Sequence, residues 1–335
     1  MNKIRLGVSL FSYSSEYYQK IYSLDDILIE ARNAGAEAIE IVASQMIPGF
    51  PYPSREWLHS FRQRCENLQM IPFCYSAHLD SGLRSDRFLT DEEKMLCTLN
   101  DIRNAYEMGA QVVRTQHSIS PDLLYKIEPW AKKFKIKLGV EIHPPHRFET
   151  EVWQHYISVF KDLDSPFIGV VVDTGIYQEY PYNGWLDVYS QHGVNKKTIQ
   201  NLLKLLAENK TFEDAKAYLE TEDSNLYAFE LASELFSLYR PYKQDELQQV
   251  IQYVTHFHTK FYHMENGKEK TIPYTKILNL VKNSGYSGYL ISEYEGHYCY
   301  DASLYPAAEQ VKTHIQMEKN ILKGIKDNVN KTYNQ

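Results

Sequence analysis

A chain of 335 residues, 43% hydrophobic and 24% charged, is long enough to bury one barrel-sized core or two ordinary ones. A formal net charge of −7 with no dense lysine or arginine run argues against a nucleic-acid binder that works by neutralising phosphates. Four scattered cysteines without a CxxC pair (Cys65, Cys74, Cys97, Cys299) argue against a zinc cluster or a disulfide scaffold. No run approaches a membrane span, and MNKIRLGVSLFSYS turns polar too soon for a signal peptide, so a cytoplasmic location is expected.

Strand-like and helical runs alternate along the chain. RLGVSLF (5–11) reads as a strand, and Ser23 as the N-cap of a helix over LDDILIEARNAGA with an acidic first turn. AEAIEIV (36–42) is the second strand, Ser54 opens the next helix, and IPFCYSA (71–77) is the third strand. Thr90 and Glu93 form a capping-box pattern ahead of EKMLCTLNDIRNAYEMGA, and AQVVRTQ (110–116) follows as the fourth strand. Ser120 with Pro121 reads as an N-cap and first-position proline. KLGVEIH is the fifth strand, EVWQHYISVFKDL a helix and FIGVVVDT (167–174) the sixth strand. After Asp173 the beat breaks. Residues 175–250 hold no convincing strand but three helical stretches, KKTIQNLLKLLAEN, TFEDAKAYLE and LYAFELASELFSLYR, which predicts a helical insertion. The alternation resumes with YVTHFHTKFY (253–262), a helix from Pro273 to Gly285, GYLISEYEG (288–296) and a last helix over 305–325.

Eight strand–helix units imply a parallel sheet with helices outside it. This length favours closure into an α/β (β/α)8 TIM barrel, a single domain over 1–335 with the 175–250 insertion between strands six and seven. No GxGxxG follows the first strand, which weakens the dinucleotide-binding alternative.

Chemistry in such a barrel sits at the C-terminal strand ends, and the polar residues gather there. Strand five ends in Glu141 and His143, and strand six in Asp173. Strand seven carries His256, His258 and Lys260, and strand eight Glu293 and Glu295. Residues two apart share a strand face, so each set faces the mouth, with small or aliphatic Gly139, Val171 and Ile291 behind. Three carboxylates and one imidazole suit a hard or borderline divalent cation, Mn²⁺ first, with Co²⁺, Mg²⁺ or Zn²⁺ as alternatives. Without a cation, converging carboxylates raise one another's pKa. Singly, Asp173-Thr174-Gly175 is an ordinary turn signal and a strand histidine an ordinary core group. Four such residues on four successive strands point to a site.

LGVEIH, VVVDTG, THFHTKF and YLISEYE resemble, in order, the strand ends of the xylose-isomerase-like sugar isomerases and epimerases. The resemblance covers nearly the whole chain, the insertion being the main departure. It implies one divalent metal, held by a Glu, an Asp, a His and a Glu, that binds two adjacent sugar oxygens. Those roles fall on Glu141, Asp173, His258 and Glu293. The family's His-x-Lys pattern selects His258, followed by Lys260, over His256, while Glu295 competes with Glu293. The epimerases commonly place an apolar residue or asparagine near His143 and use two glutamates as acid and base. Glu141-Ile142-His143, the insertion and the length look more like the catalytic alpha subunit of bacterial C-glycoside deglycosidases. That resemblance implies a manganese-type metal, a small β-rich partner subunit, and a lyase reaction on a 3-oxo-C-glycoside. Glu141 and Glu293 would serve catalysis at the metal, and His143 would remove the C2 proton. Two alternatives accompany it: an isomerase or epimerase acting on a free keto sugar or in an inositol pathway, and a non-catalytic carbohydrate-binding subunit.

Substrate contacts are expected from His78 and His117, which follow strands three and four, and from Lys260, Glu295 and His297, with a structural ion pair as the equal alternative for Lys260. His59, His155, His192 and His314 read as surface residues of helices or loops. The aromatic stretch EYPYNGWLDVY (179–189) would either wall a flat aglycone or pack the insertion onto the barrel.

Overall fold

The computed structural model describes residues 4–79, 82–222 and 225–324. Eight parallel strands pair in chain order and close on themselves. They are β1 (Arg5–Ser9), β2 (Ala38–Val42), β3 (Ile71–Ser76), β4 (Val112–Thr115), β5 (Lys137–Ile142), β6 (Ile168–Asp173), β7 (Val254–Phe261) and β8 (Tyr289–Tyr294). Each falls within its expected run. The strands are buried on both faces, as parallel strands under a helical jacket must be. His143 lies just past the end of β5, in the loop that follows.

Local chemistry sets the helix starts. Ser23 and Asp26 make a reciprocal capping box, as do Thr90 and Glu93, and Ser54 accepts from the Trp57 N–H. Ser120 and Pro121 are a correction. The helix begins at Leu123, after a tight turn in which the Leu123 N–H donates to the Ser120 carbonyl at 3.1 Å. An i,i+3 bond closes that turn, so the proline precedes the helix instead of occupying its first position.

Outward strand residues such as Ile39, Val113, Val140 and Phe257 merge with the helices into the main core. Inward residues Ala38, Phe73, Val112, Tyr289 and Ile291 make a separate apolar cluster toward the N-terminal end of the barrel. Gly139 is required there, because a Cβ would come within 2.7 Å of Val171 and 2.6 Å of Thr255. His314 is the second correction. It is fully buried, its ring stacked on Phe261 at 4.0 Å and its Nδ1 2.9 Å from Ser292 Oγ, so packing between helix Ala307–Lys323 and the barrel has claimed it. His59, His155 and His192 are exposed.

Between β6 and β7 lie helices Asn183–Gln191, Lys196–Ala207, Phe212–Glu222, Leu226–Leu238 and Gln244–Gln248. They surround their own apolar cluster, which includes Ile199, Leu202, Leu219, Leu231 and Leu235. The aromatic stretch serves packing: Tyr182 stacks on Tyr262 at 4.4 Å, Trp185 Nε1 donates to Glu234 at 2.9 Å, and Tyr189 is buried in the insertion's cluster. Among the described residues no helix is long and apolar enough to cross a membrane.

Candidate metal centre

Strand register brings the acidic strand ends together. Asp173 on β6 pairs with His258 on β7, and Lys260 on β7 pairs with Glu293 on β8. His258 Nδ1 lies 2.8 Å from Glu141 Oε1 and 3.3 Å from Glu293 Oε2. Ligand-capable atoms of these three residues all fall within 4.8 Å of one another. Asp173 stands slightly apart, joined through Lys260, whose Nζ is 2.9 Å from Asp173 Oδ2, 3.0 Å from Glu293 Oε2 and 2.6 Å from Glu295 Oε1. Glu141, Asp173, His258 and Glu293 are each at most 3% exposed, whereas Glu295 is half-buried at the rim. His256 lies deeper, its ring edge against Phe73 and its Nε2 3.2 Å from Glu40 Oε2.

Two residues of this cluster had no place in the sequence reading. Glu40 on β2 is fully buried, and its Oε2 is 2.9 Å from His258 Nε2. Arg114 on β4 spans two carboxylates, with Nε donating to Glu40 Oε1 at 3.1 Å and Nη1 to Glu141 Oε2 at 2.5 Å. Arg114 also donates to the Ser76 hydroxyl. A signal was available for Glu40, the one charged residue in the strand AIEIV, whereas Arg114 in VVRT stands beside the polar Thr115.

The electrostatics are those of buried, mutually paired charges. Burial alone would push Glu141 up, but the Arg114 guanidinium and the His258 ring hold its carboxyl at about 2. Burial of Glu40 is likewise outweighed by His258, the bond from His256 and Arg114, leaving it well below the usual range. Burial would strip His258 of its second proton, but Glu293, Glu40 and Glu141 hold it well above an ordinary imidazole. Asp173 runs the other way, pushed up by burial despite Lys260.

The donor set fits a divalent cation. Five carboxyl groups (Glu40, Glu141, Asp173, Glu293, Glu295) face two permanent cations (Arg114, Lys260), an excess of three negative charges before the histidines are counted. Asp173 Oδ2 and His258 Nδ1 are buried and close to charged groups, yet neither makes a hydrogen bond of acceptable geometry. Buried polar atoms without such a bond are rare and costly, and a cation satisfies both.

Above these residues lies a cavity of about 180 Å³, whose lining includes Phe11, Gln116 and His143 as well as Arg114 and Lys260. His143 Nδ1 is 2.7 Å from the Pro144 carbonyl. His78, His117 and His297 do not line it. His78 is exposed and bonds Gln116 Oε1 at 3.0 Å, and His117 is exposed and packs on His146 at 4.4 Å. His297 packs edge-on against Phe11 at 5.4 Å and lines a neighbouring cavity with Glu16 and Tyr300. Lys260 is committed to carboxylates, the ion-pair role.

Similarity to known proteins runs along the whole fold. The chain is 29% identical over 314 residues to the 3'-dehydrocarminate deglycosidase alpha subunit of Microbacterium sp, covering 87% of this chain and 88% of the relative. It is 23% identical over 308 residues to a C-glycoside deglycosidase alpha subunit of Arthrobacter globiformis, covering 87% and 83%. Among solved structures, D-psicose 3-epimerase from Clostridium cellulolyticum H10, in a structure with D-tagatose, superposes with a TM-score of 0.59 at 11% identity, covering 95% of this chain and 99% of that one. The model of the xylose isomerase-like TIM barrel matches residues 28–321, and this chain belongs to that family.

Proposed function

We propose that the chain is the catalytic subunit of a metal-dependent C-glycoside deglycosidase, a carbon–carbon lyase acting on C-glycosides already oxidised to a ketone at C3 of the sugar. The observation that carries this reading is His143 at the cavity that Glu141 and Glu293 line. With Nδ1 donating to the Pro144 carbonyl, Nε2 is left to accept a proton. The names of the relatives support the substrate class and, through the words "alpha subunit", a partner chain, which we take to be small and β-rich. A cytoplasmic location and one domain over the whole chain belong to the same reading.

Glu141, Asp173, His258 and Glu293 would hold the cation, Mn²⁺ first, with Co²⁺, Mg²⁺ or Zn²⁺ as alternatives. When bound, it supplies positive charge beside the C3 oxygen, acidifying the C2 proton and stabilising the oxyanion. His143 Nε2 takes that proton, and the C–H electron pair passes into a C2–C3 enolate. The pair returns as a C1=C2 double bond while the C1–aglycone bond breaks. The aglycone would leave from its keto tautomer, whose ring carbon already carries the phenol's proton, so the electrons of the broken bond restore the aromatic ring as a phenolate that takes back the proton held on His143. Arg114 and Lys260 meanwhile hold the carboxylates in place. Return of the proton to the opposite face of C2 would give epimerisation instead, a second reading that the fold shared with D-psicose 3-epimerase favours.

The test is incubation with a 3-oxo-C-glucosyl flavonoid, with and without Mn²⁺ and a co-purified partner, followed by chromatography. We expect free aglycone only in the metal-loaded arms and none after chelation. If aglycone appears in no arm while free keto sugars interconvert, the epimerase reading replaces this one.

A further inference from the structure

We propose that Glu40 is a positioning residue that makes His258 a donor through Nδ1, with Arg114 locking the arrangement. The inference rests on the reading of Glu141, Asp173, His258 and Glu293 as the cation-holding set. Glu40 is a fully buried carboxylate outside that set, and such a group costs free energy unless it is paired. Its Oε2 is 2.9 Å from His258 Nε2, so the Nε2 proton of a neutral ring is committed there. That leaves a lone pair on Nδ1, which lies 2.8 Å from Glu141 Oε1 and 3.3 Å from Glu293 Oε2. In the metal-free protein a second proton on Nδ1 pairs with those two carboxylates, and a bound cation would take that proton's place among the same three atoms. Arg114 closes the loop. It binds Glu40 Oε1 and Glu141 Oε2, so each carboxylate gives one oxygen to the guanidinium and turns the other toward His258. A carboxylate that fixes the tautomer and orientation of a metal-binding histidine is the usual outer partner of such a site.

The rival arrangement places the ion among Glu40, His256 and His258, whose ligand-capable atoms also lie close together. There, however, Glu40 already accepts from Arg114 and lies within bonding distance of both histidine Nε2 atoms. An ion among them would cost both rings their N–H bonds to it.

The test is titration of metal-free protein with Mn²⁺ by calorimetry. The wild type should bind a single ion, and Glu40→Gln should weaken binding roughly 10–100-fold at unchanged stoichiometry. His256→Asn should stay near the wild-type affinity. Wild-type affinity in Glu40→Gln would overturn the positioning role and leave the cation site standing. An effect of His256→Asn as large as that of Glu40→Gln would move the ion to the deeper triad and overturn it too. No Mn²⁺ binding by the wild type would remove the cation site itself and the inference with it. Should Glu40→Gln fail to fold, ¹⁵N NMR of the Zn²⁺-loaded wild type decides: His258 should be metal-bound at Nδ1 and protonated at Nε2, and the reverse assignment overturns the proposal.

Discussion

The floor and the ceiling of the barrel interior lie two residues apart on the same strands and differ completely. On β2 Ala38 gives way to Glu40, on β4 Val112 to Arg114, on β6 Val171 to Asp173 and on β8 Ile291 to Glu293. The larger apolar side chains in the floor, such as Phe73, Val112 and Ile291, each contribute about 1.5–3 kcal/mol by burial. The ceiling charges each cost desolvation and keep their charge only through the partners that surround them. The fold is therefore held from below and made reactive from above, and the two layers should fail in different ways.

The largest effect is expected in the ceiling. Removal of the base by His143→Ala should lower kcat by roughly 10²–10⁴-fold, while Mn²⁺ affinity and Tm stay at wild-type values. Turnover within tenfold of wild type would assign the proton transfer to another residue. In the floor, Ile291→Ala should cost about 2–5 kcal/mol of stability, read as a lower urea midpoint, with the Mn²⁺ Kd unchanged. A shift in Kd without a shift in midpoint would mean that the layers are not separable.

A smaller effect contrasts the paired ceiling carboxylates with a buried one that lacks such pairing. Glu318, on the helix Ala307–Lys323, is fully buried, neither of its oxygens makes a hydrogen bond of acceptable geometry, and burial pushes its carboxyl up to about 8 against the smaller pulls of Thr259 and Lys319. A folded-state pKa above the unfolded value means that the native state binds more protons through that window. This contribution to stability is therefore full below the unfolded pKa and is lost as pH rises toward about 8. Glu318→Gln should raise Tm at pH near 8 and flatten its decline from about pH 5, with turnover unaffected. An unchanged slope would assign the pH dependence to other buried carboxyls, of which Asp101 and Glu269 are each pushed up to about 7.

Much of the architecture was legible because its signals are local. A capping box closes within three residues, as at Ser23 and Thr90, and a short β-rich apolar run such as IGVVVD marks a buried strand without reference to the rest of the chain. Glu141, Asp173 and Glu293 could be singled out because each carboxylate ends an apolar run. Glu40 interrupts an apolar run too, but its partners cannot be read there: it meets His258 of β7 across the barrel and Arg114 of β4, which itself bonds Glu141 on the neighbouring β5. His314 departs from its expected surface place for a related reason: a polar residue on an amphipathic helix looks exposed until its neighbour Phe261 is known.

By itself, then, the sequence determined the eight-unit barrel, the insertion and the acidic strand ends, because periodicity and capping are short-range properties of the chain. Only the tertiary structure decided how close His258 comes to Glu141 and Glu293, that Lys260 is spent on carboxylates, and that Glu40 and Arg114 complete the cluster. Closure of the barrel sets those distances, and electrostatic pairing across a barrel depends on distance and not on position along the chain.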